Sequence, residues 1–112
     1  MIPTVTVNAD GNPNYSTSPG NSTKDQVFLL SIAEANKYFS SDEARKCAPT
    51  VYAKLHGAYV LDDYCWWWLR SPGINSYYAA SVYLDGSVNY LGNYVNFGDD
   101  AVRPAMWINL GS

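Results

Sequence analysis

Cys65-Trp66-Trp67-Trp68-Leu69, continued by Arg70-Ser71-Pro72-Gly73, is the stretch whose reading decides the fold. Three consecutive tryptophans need cover on both sides, and a strand points successive side chains to opposite faces. CWWWL is therefore read as a central strand, with Trp66 and Trp68 on one face and Trp67 on the other. The RSPG that follows ends it in a turn. Counting Trp107, at least three of the four tryptophans are expected in the core.

Downstream, strands are expected near residues 79–84, 87–91 and 102–110. Asp85-Gly86 marks a hairpin, and its register follows from the faces. A three-residue loop ending at a left-handed Gly86 puts Val82 opposite Val88 and Ala80 opposite Tyr90, giving one apolar inner face. A two-residue loop would put Val82 opposite Asn89. The chosen register leaves Ser81, Tyr83, Asn89 and Leu91 on the outer face. Pro104 implies an edge position or a bulge in the last strand.

Upstream, Gln26–Leu30 (QVFLL) suits a buried strand. Ser31 with Glu34 three residues later forms a capping box, which starts a helix running to about Phe39. Ile32, Ala35 and Phe39 share its inner face. Ser41-Asp42-Glu43 opens a second helical piece ending near Cys47, and Pro49 suits the first turn of a third, over residues 50–56, ended by Gly57. Residues 1–24 carry a short alternating run, Val5-Thr6-Val7, read as an edge strand, then turn formers. The fold class is α+β: a turn-rich segment over 1–24, then a domain over 25–112 with helices preceding a small antiparallel sheet.

Length and composition fit one domain. The chain has 112 residues, 47% hydrophobic and 15% charged, with ten Tyr and four Trp. Leu, Ile, Val and Phe are sparse for a folded protein, so the aromatics must supply buried area. Seven Lys and Arg against ten Asp and Glu leave a net charge of −3, which argues against nucleic acid as a partner. No apolar run is long enough for a membrane span and no secretory signal pattern opens the chain.

The charge is unevenly placed. Residues 74–100 hold Asp85, Asp99 and Asp100 and no base, so this stretch alone accounts for the net −3. It also lacks Glu, Gln, His, Met, Trp, Pro, Cys and Thr. The remaining residues are electrically balanced.

Enzymatic chemistry finds little support in these residues. The one histidine, His56, sits where a helix is expected to end, a position that favours a cation without any catalytic role. Gly86, Gly92 and Gly98 fall in turns and form no phosphate loop. Cys47 and Cys65 lack paired zinc spacing; they fit two buried thiols or a disulfide. Asp62-Asp63 and Asp99-Asp100 lack the further acids of a calcium loop. Arg70 and Arg103 lie in or beside apolar strands, where bonds to loop carbonyls are the expected use of a half-buried guanidinium. No metal, cofactor or catalytic residue is expected.

Surface recognition fits better. Tyr77, Tyr78, Tyr83, Tyr90 and Tyr94, interleaved with Asn75, Ser81, Asn89, Asn93 and Asn96 and followed by Phe97, Asp99 and Asp100, have the composition of antibody loops. Tyr gives large contact area at low rotamer entropy, and Ser, Gly and Asn give adaptable hydrogen bonds. An ordinary solvated face would be rich in Lys and Glu.

WWWLRSPG (66–73), AASV (79–82), DG (85–86) and VRPAMWINL (102–110), with VFLLSIAEANKYF (27–39) and APTVYAKLHGAY (48–59), resemble a bacterial and phage domain of uncertain function. That domain is related to the C-type-lectin-like fold of formylglycine-generating enzymes and of the variable proteins of diversity-generating retroelements. The resemblance implies a C-type-lectin-like scaffold held by Trp67, Arg70, Arg103 and Trp107. It also implies a region whose Asn codons, mutated at adenine, yield Tyr, Ser, Asp, Gly, Ile or Phe but never Lys, Glu, Gln, Met or Trp. These five types are absent from 74–100 and number 13 among the other 85 residues. The late cysteines of the formylglycine-generating enzymes have no counterpart after Cys65, and the calcium-dependent sugar tripeptides of true C-type lectins are missing. Relatives carry more chain before Val27, so the sequence is expected to be a piece of a larger protein, with its sheet incomplete or completed by a second copy. The expected function is a non-enzymatic module presenting residues 74–100 to a protein or glycan ligand, on a virion or bacterial cell surface if part of a displayed protein. The alternative is an assembly module of a phage tail or cell-surface protein, forming a homo-oligomer.

Overall fold

Trp67 has no solvent exposure, and the fold is arranged around it. The computed structural model describes residues 2–96 and 100–109. Three helices, α1 (Ile32–Tyr38), α2 (Asp42–Arg45) and α3 (Val51–Leu55), lie among seven short strands: β1 (Val5–Val7), β2 (Thr23–Asp25), β3 (Val60–Leu61), β4 (Tyr64–Cys65), β5 (Trp67–Pro72), β6 (Tyr78–Val82) and β7 (Val88–Tyr94). All paired strands are antiparallel: β1 with β2, β3 with β4, and a three-stranded sheet in the order β5-β6-β7. The molecule is a small α+β domain.

The strand over the tryptophans starts at Trp67 and runs to Pro72, further than the sequence suggests, and it stands at the edge of the three-stranded sheet rather than in the central place expected for it. Along it Trp67, Leu69 and Ser71 are buried while Trp66, Trp68 and Arg70 are half-buried, so the alternation of faces holds. Trp67 and Leu69 meet Ala80 and Val82 of β6 and Ile32 and Ala35 of α1, with Phe39, Val88 and Tyr90 packed around them. At about 25 cal/mol per Å² of apolar area, such burial is the main term favouring the fold. Helix α1 begins as its capping box predicts: the Ser31 hydroxyl accepts from the Glu34 N–H, and the Glu34 carboxylate accepts from the Ser31 N–H.

The hairpin between β6 and β7 has the expected register. Val82 faces Val88 and Ser81 faces Asn89, and Tyr83 N–H donates to the Ser87 carbonyl, leaving a three-residue loop with Gly86 at φ +86. Further along, the register shifts, so Tyr78 faces Tyr94 and Ala79 faces Asn93. The expected pairing of Ala80 with Tyr90 is lost in this bulge, where Gly92 takes φ +86. A Cβ at Gly92 would overlap the Ala79 carbonyl; the close approach of the two backbones is what glycine permits.

Two expected strands do not form. Gln26–Leu30 makes a single bridge, Phe28 with Ala105, because the capping box turns the chain into α1 straight afterwards and the Leu29 and Leu30 carbonyls accept from Arg70 instead. Residues 102–109 make no strand either. Ala101 pairs in parallel with Trp67 and Ala105 antiparallel with Phe28, while Pro104, lacking an N–H, breaks the ladder between them. Trp107, expected to help hold the scaffold, is 51% exposed and touches Tyr38 edge-on. Pro49 stands ahead of the α3 cap, which Thr50 provides, rather than in its first turn.

Charged side chains bolt the layers together. Arg45, 8% exposed, donates from Nε to the Gly86 carbonyl at 2.8 Å and from Nη1 to the Phe39 carbonyl at 3.1 Å, and pairs with Asp42. Its own carbonyl accepts from Trp67 Nε1 (3.0 Å) and Arg103 Nη1 (3.3 Å), and the Arg103 guanidinium lies over the rings of Phe39 and Trp67. Arg70 donates to the Asn8 and Leu29 carbonyls and pairs with Glu34 and Asp10. The expectation of bonds to loop carbonyls holds for Arg70, whereas Arg103, which lies in no strand, reaches the carbonyl at the end of α2. The first two dozen residues are tied to the same body: buried Asn12 donates from Nδ2 to the carbonyls of Tyr90 (2.6 Å) and Pro72 (3.0 Å).

Candidate functional site

The low-charge stretch is delivered by β6, β7 and the turns at their ends, and the sheet divides it into three parts. At one end, the turn from β5 into β6 is fixed by the Asn75 side chain, which accepts from the Tyr77 N–H at 2.9 Å, and by Gly73 N–H donating to the Tyr78 carbonyl at 2.8 Å. The chain leaving β7 is anchored beside it, since Val95 N–H donates to the Tyr77 carbonyl at 3.0 Å. The Tyr78 and Tyr94 rings lie 4.4 Å apart. The Tyr94 hydroxyl, hydrogen-bonded to that of Tyr78, raises the Tyr78 phenol above its ordinary range. Tyr77 is 70% exposed; Ile74, Leu91, Tyr94 and Val95 are exposed as well. Asn75 and Asn96 are exposed at the rim. This end is an aromatic and apolar patch mounted on hydrogen-bonded backbone.

At the other end stands the hairpin tip. The Tyr83 ring packs on Trp66 at 4.4 Å, and Asp85 accepts from the Ser87 hydroxyl and N–H. These two bonds hold the Asp85 carboxyl below its ordinary value, with Lys46 assisting. Tyr83 and Asp85 line an open cleft of about 400 Å³ with Lys46, Leu61, Asp62 and Tyr64. Lys46 lies over the Tyr64 ring and pairs with Glu43, whose hydrogen bond raises the lysine above its ordinary value despite the opposing effect of burial. Tyr78 and Tyr83 are five residues apart on one strand, about 17 Å at ~3.4 Å per residue, so the two ends form separate surfaces.

The middle of the stretch is not displayed. Ser81 is fully buried and Asn93 is 8% exposed. Asn89 donates to the Asn93 side chain (3.2 Å) and accepts from the Gly92 N–H (3.2 Å), while Asn93 donates to Asp100 (3.1 Å). The Asn89, Asn93 and Asp100 side chains hold the bulge together and Ser81 is buried beneath the surface with its hydroxyl unpartnered, contrary to the expectation of a continuous outer surface. Tyr90 faces the other way: it packs on the core near α1 and its hydroxyl accepts from Asn36 at 3.3 Å. Phe97 and Asp99 lie outside the described residues. Asn75, Tyr77, Tyr78, Tyr94 and Asn96 thus come together, with Tyr83 apart from them. Ile74, Leu91 and Val95 are exposed in this part of the molecule as well, Leu91 in keeping with the outer-face position its register implies; the cleft residues Lys46, Asp62 and Tyr64 were missed because their proximity depends on long-range packing.

Among the described residues, no group of three or more His, Cys, Asp or Glu gathers to hold a metal ion, and no helix is long and apolar enough to cross a membrane. His56 ends α3 as expected, with Nδ1 2.9 Å from the Tyr52 carbonyl and its ring stacked on Tyr52. Neither a curated protein nor a solved structure matches the chain. One family model, described as a domain of unknown function (DUF6273), matches residues 1–110. The match takes in the turn-rich start of the chain together with the helices and the sheet, and on it the chain belongs to the DUF6273 family.

Proposed function

We propose that this domain is a non-enzymatic ligand-binding module on a C-type-lectin-like scaffold, and that its contact surface is the patch around Tyr77 and Tyr94 rather than the whole of 74–100. The observation that carries this reading is the exposure of Tyr77 and Tyr94 at one end of the sheet, on backbone fixed by the Asn75 turn and the Val95–Tyr77 hydrogen bond. A rigidly mounted aromatic patch rimmed by asparagines loses little entropy on contact with a protein or glycan. The absence of Lys and Glu from the stretch fits a surface drawn from adenine-mutated Asn codons, as in the variable proteins of diversity-generating retroelements. A near-repeat of this coding region beside a reverse-transcriptase gene is the genomic counterpart of that reading.

The test is to probe arrays of glycans and of extracellular proteins with the domain and with a Tyr77→Ala/Tyr94→Ala variant in parallel. Signals lost in the variant, with its melting temperature kept, support the proposal. Signals that survive the double substitution overturn it.

A second reading, an assembly module of a phage tail or cell-surface protein, draws on a different surface. Trp107, Met106 and Tyr38 are exposed beside α1 around a groove of about 210 Å³ that Phe28 and Leu30 also line. Exposed apolar area of this kind commonly marks an interface between subunits. Solution mass tests this second reading: a homo-oligomer supports it and a monomer contradicts it, while either leaves the Tyr77 patch free for a ligand.

A further inference from the structure

We propose that Cys47 and Cys65 form a disulfide site that closes the 48–64 excursion at its base. The chain leaves the core after Arg45, makes α3 and the β3-β4 hairpin, and returns at Cys65. No residue of α3 is buried, and Val51, Tyr52 and Leu55 are each at least 70% exposed. The hydrogen bonds of the excursion are local ones, within α3, its termini and the β3-β4 pair. What joins its two ends is the pairing of Cys47 with Cys65 as antiparallel partners, with Cys65 N–H donating to the Cys47 carbonyl at 2.9 Å.

Facing residues of an antiparallel pair have Cα atoms about 4.5–5.5 Å apart and side chains on the same face. That spacing lies inside the range a disulfide spans without moving the backbone. The Cys65 Sγ sits 3.2 Å from the Cys47 carbonyl, against its partner's own backbone. Both cysteines are thiols in this structure, Cys65 buried and Cys47 half-buried. The order of reaction follows from that difference in access.

The co-reactant is a small-molecule disulfide such as oxidised glutathione. The Cys47 thiolate attacks one of its sulfurs, forming a mixed disulfide and releasing one small thiol. The Cys65 thiolate then attacks the Cys47 sulfur, forming the intramolecular bond and releasing the second small thiol. The two cysteine sulfurs together lose two electrons, which reduce the small disulfide, and the two cysteine protons end on the released thiols. In the reduced pair burial first, then the neighbouring Cys47 thiol, pushes the Cys65 thiol up to about 11, so Cys65 is a poor first nucleophile and acts as the resolving thiol.

The experiment exposes the folded protein to oxidised glutathione, alkylates the remaining thiols, and reads intact mass alongside the rate of protease cleavage between residues 51 and 61. The expected result is a monomer with no alkylated cysteine and no glutathione, cleaved at least about tenfold more slowly than the reduced form. Cys47→Ser and Cys65→Ser variants are expected to fold, shown by unchanged circular dichroism, and to show no slowing. Retention of two alkylatable thiols, a stable glutathione adduct on Cys47, a disulfide-linked dimer, or an intramolecular bond that leaves cleavage unchanged each overturns the proposal.

Discussion

Arg70→Met is the most informative single perturbation of the scaffold, because Arg70 is where three separate parts of the chain meet. Its guanidinium bonds the Asn8 carbonyl at 3.0–3.2 Å, the Leu29 carbonyl at 2.8 Å, and the Glu34 carboxylate that closes the α1 capping box. Methionine keeps most of the apolar stem and removes every donor. Charge-assisted hydrogen bonds contribute about 1.5–3 kcal/mol each, and stripping one partner from a buried ion pair costs about 3–5 kcal/mol. The Arg70 and Glu34 side chains keep 17% and 24% exposure, so water recovers part of that loss and the net cost should be about 3 kcal/mol. For a domain of this size that lowers the melting temperature by roughly 12 °C and the urea midpoint by about 1.5–2 M at unchanged slope. Urea unfolding followed by tryptophan fluorescence reads it directly. A double-mutant cycle with Glu34→Gln should give a coupling of at least about 1 kcal/mol. A loss below about 0.5 kcal/mol for Arg70→Met refutes the reasoning, since it means that water serves these acceptors equally well.

Two further outcomes follow from the same packing. Gly86→Ala should cost about 2–4 kcal/mol, because the residue needs a left-handed φ and a Cβ would overlap the Asp42 carbonyl; thermal denaturation checks it, and a neutral result contradicts the docking of the hairpin tip on α2. Burial works against the Glu34 carboxylate, but the hydrogen bonds from Arg70 and the Ser31 N–H outweigh it and hold the group below its ordinary 4.5. Its contribution to stability is therefore complete above about pH 4.5 and lost as pH falls through the lower folded value. Stability curves from pH 6 to 2 should show a shallower acid loss in Glu34→Gln than in the parent.

Local signals in the sequence were reliable where the partners lie within a few residues. Ser31 and Glu34 named the start of α1, and Asp85-Gly86 named the hairpin and its three-residue loop; of the tryptophans expected in the core, only Trp67 is fully buried. The α+β class followed from the order of these signals. The missing information was long-range. Gln26–Leu30 and 102–110 have the composition of strands, yet whether a strand forms depends on a partner edge; Arg70 takes the carbonyls of the first, and Pro104 interrupts the second. Ser81 and Asn93 read as surface polar residues because nothing local shows the bulge at Gly92 that folds them in. Arg45 drew no notice for the converse reason, since its acceptor on Gly86 lies 41 residues away. Of the candidate surface, the composition located the segment, but the division of its tyrosines between patch, hairpin tip and core is a product of register.

Central to the proposed function is that Tyr77 and Tyr94 are exposed for contact and contribute little to the core. Once the arrays supply a ligand, its dissociation constant for the parent and for Tyr77→Ala/Tyr94→Ala, measured by titration calorimetry with melting temperatures alongside, tests that claim most directly. A loss of at least about 100-fold in affinity, with the melting temperature within about 2 °C, is the predicted result. Affinity within about twofold of the parent, or a variant that no longer folds, contradicts it.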